Sequence, residues 1–202
     1  MFHGGQEHNT EDVSNRHASW WRMALMARSL HRFAAKNDLS VHLLQYRVRG
    51  WNGSADPAPV RDARWALDRL QEQYPGVPVV LVGHSMGGRT ACSVADDPAV
   101  AGVVGLAPWL PRGEPNAAIT GRHLHVIHGT NDRWTSAQLS REYVERSKPI
   151  ALSATWTELP GVGHFMLRRL NSWNGFVKSS ILTILTEPRP APGEPTSSEG
   201  RA

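Results

Sequence analysis

Between Ser19 and Ala35 the segment WWRMALMARSLHRFAA places apolar residues at spacings of three and four, and Asn37 and Asp38 close the run. That pattern predicts a helix with a buried face. The short apolar stretch VHLLQY, Val41 to Tyr46, predicts a strand, and RVRGWNGSADPAP after it, with its glycines, Asn52 and two prolines, predicts a loop. A second helix is expected from Val60 to Gln73, stopped by Pro75 and Gly76. Strands follow at Pro78 to Val82, Val100 to Leu106, His123 to His128 and Thr155 to Leu159. Helices are expected at Gly87 to about Ala95, Ala137 to Arg146 and Trp173 to Leu185.

Strands alternate with helix-length segments, and several are nearly continuous in Val, Ile and Leu. This predicts an α/β fold with a mostly parallel sheet and helices on both faces. Ligands in such folds bind outside the carboxyl ends of the strands. The segment PWLPRGEPNAAITG is too short for a separate lid domain. A chain of 202 residues has room for one sizeable core, so one domain over 1–186 is expected. The proline-rich stretch 187–202 has almost nothing to bury and is expected to be a disordered tail.

Composition narrows the field by exclusion. The formal net charge is +4, but acidic and basic residues are interspersed without a block of like charge, so nucleic-acid binding is not implied. Cys92 is the single cysteine; an intramolecular disulfide, a C-x-x-C redox pair and a cysteine metal cluster are all excluded, and the scattered His3, His8, His17 and His31 make no metal-ligand pattern. There is no secretory signal and no apolar run of membrane-spanning length, so a cytoplasmic protein without a transmembrane segment is expected, of unknown oligomeric state.

Gly83-His84-Ser85-Met86-Gly87 fits G-x-S-x-G, with an expected strand before it and a helix after it. The glycines relieve crowding at a sharp, strained turn that lifts the Ser85 hydroxyl above the sheet and turns the Met86 N–H toward a developing oxyanion. A serine hydroxyl needs a histidine to take its proton, and the histidine needs an acid to hold its tautomer. His164, in PGVGHFM, follows the last expected strand. Asp132, in HGTNDRWT, also lies just beyond a strand end, either aimed inward or capping the next helix. Ser85, Asp132 and His164 then stand in the chain order nucleophile, acid, histidine. His84 is expected to point away from the nucleophile in a structural role, and His128 to hydrogen-bond near the acid loop.

On GHSMGG, HVIHGTNDRWTS and GVGHFM the chain resembles alpha/beta-hydrolase fold proteins, from His3 to about Leu185. The resemblance implies hydrolysis of carboxylic esters and related small-molecule acyl substrates without a cofactor or metal, by a small member lacking a cap. It also implies a second oxyanion donor in the HGG-type turn His3-Gly4-Gly5, from the N–H of Gly4 or Gly5. The strand before that turn should lie inside the sheet, between 41–46 and 78–83, yet only Met1 and Phe2 remain to form it, so the fold is expected to lack its N-terminal strands and the chain to start late. An interior strand is not removed cheaply, because both neighbours lose ladder partners.

Trp51, Trp109 and Trp134 fall in loops beside the expected site, where they either line an acyl cleft or pack. Met166 either contacts substrate or fills a gap. Trp20, Trp21, Trp65 and Trp173 are expected in the core, and Cys92 on the packing side of its helix. Two function classes follow: a serine hydrolase of small or medium acyl esters, with thioesterase, acyltransferase and peptidase chemistry open to the same residues, or a noncatalytic protein, either an inactive binding relative or a truncated one that cannot assemble its oxyanion hole.

Overall fold

A computed structural model describes residues 1–53 and 55–187. The expected tail lies, from residue 188 onward, outside the described residues. Four strands, β1 (Val79–His84), β2 (Val100–Leu106), β3 (His123–Gly129) and β4 (Ser153–Leu159), form one parallel sheet in the order β1-β2-β3-β4. Five helices accompany it: α1 (Ala18–Lys36), α2 (Ala58–Gln73), α3 (Met86–Ser93), α4 (Ala137–Ser147) and α5 (Leu170–Thr186). Residues 107–122, which join β2 to β3, hold only a 3-10 turn at Ala117–Ile119, so no cap rises from that connection.

The sheet is apolar on both sides because alternate side chains face opposite layers. Leu81, Val103, Leu124 and Val126 pack in one core with Leu67 of α2, Ala91 and Cys92 of α3 and Val144 of α4. Their sequence neighbours Val82, Val104 and Ile127 pack in the second core with α1 and α5. On α1 the buried residues Met23, Met26, Leu30 and Ala34 recur at spacings of three and four, which places them on one stripe. Trp173 is fully buried as expected, but Trp21 and Trp65 are 50% and 60% exposed. Both sit on the outer faces of amphipathic helices, where the stripe and not residue type decides burial.

Beyond β1 the sheet thins. Phe2 bridges in parallel to Gly83 on one side and to Leu44 on the other, the position expected for it. Its N–H donates to the Val82 carbonyl (2.8 Å) and its carbonyl accepts from the His84 N–H (3.1 Å). The expected strand at 41–46 is not formed: Leu44 makes a single bridge, because Met1 and Phe2 offer it only one rung. Below them, between 41–44 and Val79–Val82, lies an apolar cavity of about 530 Å³ walled by residues such as Leu30, Phe33, Leu70 and Ile181. It sits toward the opposite end of the strands from the site described next.

Candidate active site

Ser85 follows β1, Asp132 follows β3 and His164 follows β4, so all three stand at the carboxyl edge of the sheet. Ser85 has φ 57° and ψ −120°, a left-handed conformation that a non-glycine residue adopts only when its surroundings force it. The forcing is visible in its neighbours: a Cβ at Gly83 would strike the Gly87 backbone, and one at Gly87 would strike the Phe2 carbonyl. The Ser85 carbonyl accepts from the N–H groups of Gly88 (3.0 Å) and Trp109 (3.0 Å), which ties the turn to the loop after β2.

The Ser85 Oγ lies 3.0 Å from His164 Nε2, and His164 Nδ1 lies 2.8 Å from Asp132 Oδ2. Ser136 caps α4 by accepting from the Leu139 N–H, so Asp132 is not the helix cap. Its Oδ1 instead accepts the N–H groups of Trp134 (2.8 Å) and Thr135 (2.9 Å), leaving Oδ2 turned to the histidine. Burial alone would push the Asp132 carboxyl up. Hydrogen bonds from His128, His164 and the Thr135 N–H, together with the His164 charge, outweigh it and hold the group well below the usual carboxylate range.

The His3-Gly4-Gly5 turn passes over this edge. A Cβ built on Gly4 would sit 3.3 Å from Ser85 Cβ, which puts Gly4 directly beside the serine. Among the described residues neither the Gly4 nor the Gly5 N–H donates a backbone hydrogen bond. The Met86 N–H, first in α3, is free by helix geometry. His3 fastens the turn: its Nδ1–H donates to the Gly4 carbonyl (2.7 Å) and its Nε2 accepts the Tyr46 N–H (3.2 Å). Burial lowers the His3 pKa to about 4, so the ring is neutral and this donor–acceptor pairing holds.

His84, expected to point away from the nucleophile in a structural role, supports the histidine loop. Its ring lies 4.7 Å from the His164 ring, and its Nε2–H donates to the His164 carbonyl (2.9 Å). Burial, with the nearby His164, lowers its pKa to about 3.

The three loop tryptophans separate. Trp134, 71% exposed, lies roughly parallel to the His164 ring at 6.5 Å, and Phe165 meets both rings edge-on. Trp51 and Trp109 meet edge to face at 6.2 Å and enclose the Arg89 guanidinium, 4.0 and 4.6 Å from their ring centres. Arg89 also pairs with the buried Glu114 (2.7 Å), so the pair and the two rings form one packed unit beside the elbow. Met166 is buried in the core with Val162 and Trp173, where it fills space.

Sequence reasoning missed Thr135, whose hydroxyl touches Asp132, His128, His164 and the Ala107 carbonyl, and it missed Arg89 and Phe165. Each adjoins a motif in sequence, but only packing shows what it touches. Among the described residues no group of acidic, histidine or cysteine side chains could hold a metal ion, and no helix is long and apolar enough to cross a membrane.

A parallel sheet carrying a strained serine, a histidine and a carboxylate at its carboxyl edge has the architecture of the alpha/beta hydrolases. The model of the alpha/beta hydrolase family matches residues 1–125, and the chain belongs to that family. Human monoglyceride lipase is 44% identical over 63 residues, which are 30% of this chain and only 20% of that protein's length. Among solved structures, a serine hydrolase without a lid from Xanthomonas campestris superposes with a TM-score of 0.67 at 16% identity, covering 93% of this chain and 85% of its own. An alpha-beta serine hydrolase homologue from Coxiella burnetii gives 0.64 at 16%, covering 88% and 84%.

Proposed function

We propose that the protein is a serine hydrolase that cleaves carboxylic esters of small or medium acyl groups through an acyl-enzyme. The observation that carries this reading is the continuous hydrogen-bonded line from Ser85 Oγ through the His164 ring to Asp132 Oδ2, at a turn where Ser85 holds a positive φ. Ser85 attacks the carbonyl while His164 Nε2 takes its proton, and Asp132 holds the ring with Nδ1–H inward. The N–H of Met86 and that of Gly4 or Gly5 receive the oxyanion. His164 then returns the proton to the leaving alkoxide. Water, deprotonated by the same nitrogen, releases the acid and restores the Ser85 hydroxyl.

The local match to a monoglyceride lipase supports ester over amide substrates. Trp134 and Phe165, both open to solvent beside His164, supply an apolar wall for the substrate, whereas Trp51 and Trp109 are occupied with Arg89. A fluorophosphonate probe should label the wild type and fail to label Ser85→Ala, and p-nitrophenyl esters should be hydrolysed ahead of the matching amides. A well-folded wild type that neither takes the probe nor hydrolyses any ester refutes the proposal.

A further inference from the structure

His128 is the penultimate residue of β3 and is fully buried, and the mechanism above does not use it. Its Nε2 lies 3.1 Å from Asp132 Oδ2, the same oxygen that faces His164 Nδ1 at 2.8 Å. One carboxylate oxygen therefore stands between two imidazoles. Proton accounting decides how. If His128 carried its hydrogen on Nδ1, the Nε2 lone pair would oppose an anionic oxygen, and Nδ1–H would be a buried donor with no partner, since that nitrogen has none. The Nε2–H form removes the first penalty and leaves Nδ1 an unpaired acceptor instead of an unpaired donor. Thr135 has a single hydroxyl hydrogen, and with both rings donating to Oδ2 that hydrogen is free for the Ala107 carbonyl at 3.2 Å.

Resting on the triad reading, we propose that His128 is a positioning residue: its Nε2–H fixes the Asp132 carboxylate and takes up part of the charge on the oxygen that also faces the His164 ring. Backbone N–H groups of Trp134 and Thr135 hold Oδ1, so the two ends of the carboxylate are anchored by different means. Around His128 the titratable groups are Asp132, His164 and, opposite in register on β4, Glu158, with His84 one ring further against His164. The Trp156 ring covers it from β4 at 5.8 Å. From α4, Tyr143 is buried, its hydroxyl pushed far up by burial and uncharged, and on α5 Lys178 sits over Phe33.

The test compares kcat/KM for p-nitrophenyl acetate across pH in wild type, His128→Leu and His128→Gln, with Ser85→Ala as the blank and circular dichroism to verify folding. His128→Leu removes the donor, leaves more charge to favour protonated His164, and should move the acidic limb up by roughly half to one pH unit. Near pH 6 that appears as a loss of about three- to tenfold, with the alkaline plateau changed less than about threefold. His128→Gln, which keeps an N–H donor, should return the limb toward wild type. A merely structural role would lower the plateau without moving the limb, and that result, or equal limbs in Leu and Gln variants, overturns the proposal.

If His128→Leu does not fold, nitrogen-15 histidine spectra of the wild-type chain decide instead. An Nε2–H tautomer at His128 supports the proposal, and an Nδ1–H tautomer overturns it. Absence of Ser85-dependent hydrolysis in the wild type overturns the triad reading and this one together. Ser85-dependent hydrolysis with an unmoved limb overturns this one alone.

Discussion

Acidification should unfold this protein through two histidines that the fold keeps neutral. His3 and His84 are each about 1% exposed, and burial places their pKa values at about 4 and about 3. In the unfolded chain both titrate near ~6.5. The folded values are depressed, so between about pH 6.5 and pH 4 these two rings bind up to two more protons in the unfolded state than in the folded state. Their contribution to stability is therefore fully present above about pH 6.5 and falls as pH drops, and the buried Met1 amino group, lowered to about 5, adds loss of the same sign from a higher pH. Each proton difference contributes ~1.4 kcal/mol per pH unit, so the two rings together predict a slope approaching ~2.7 kcal/mol per unit.

From about pH 6.5 to pH 4.5 the loss is then ~5 kcal/mol, comparable to the whole stability of many domains. Below about pH 4 the depressed Asp132 carboxyl adds loss of the same sign. Urea unfolding followed by tryptophan fluorescence, at steps between about pH 7.5 and pH 4.5, reads the slope directly. His84→Gln should roughly halve the two rings' share of it, because Gln does not titrate. A slope below ~1 kcal/mol per unit in the wild type would mean that fewer than one proton is coupled to folding, and would refute the reasoning.

Three further outcomes follow from packing and geometry. Gly5→Ala drives its Cβ into the Met86 thioether and the Arg49 carbonyl, which accepts the Gln6 N–H, so kcat on an activated ester should fall by ~10²–10³; Gly4→Ala, with nothing nearer than 3.3 Å, should lose less than about tenfold. Equal losses would mean that the two glycines are not distinguished by the oxyanion turn. Phe2→Ala removes a side chain 3% exposed that packs between β1 and Tyr46 and should cost ~3–5 kcal/mol by denaturant unfolding; a loss under ~1 kcal/mol would show the contact to be dispensable. Trp134→Ala, at a side chain 71% exposed, should leave stability within ~0.5 kcal/mol while raising KM several-fold for longer acyl esters, and an unchanged KM across chain lengths removes it from the substrate wall.

The elements written by local pattern were those readable along the chain. The spacing of three and four in α1, the branched apolar runs of β2 and β3, and the glycines that Ser85 needs for its positive φ are all properties of short windows. Their order was enough to expect a parallel sheet with Ser85, Asp132 and His164 at one edge, since each follows a strand. The strand expected at 41–46 failed for a reason no window holds: a strand exists through its neighbour, and Leu44 finds only Met1 and Phe2.

Tertiary structure decided everything that depends on distance between loops. Trp51, Trp109 and Trp134 look alike along the chain, yet two close around Arg89 and one stands open beside His164. His3 reads along the chain as one of four scattered histidines, at the head of an HGG-type turn, until its two ring nitrogens are seen joining Gly4 to Tyr46. His128 and Thr135 acquire meaning only where β3 and the loop after β4 meet at Asp132. Periodicity and turn chemistry act over a few residues and are written locally, whereas a hydrogen bond between residues dozens of positions apart exists only once packing has brought them together.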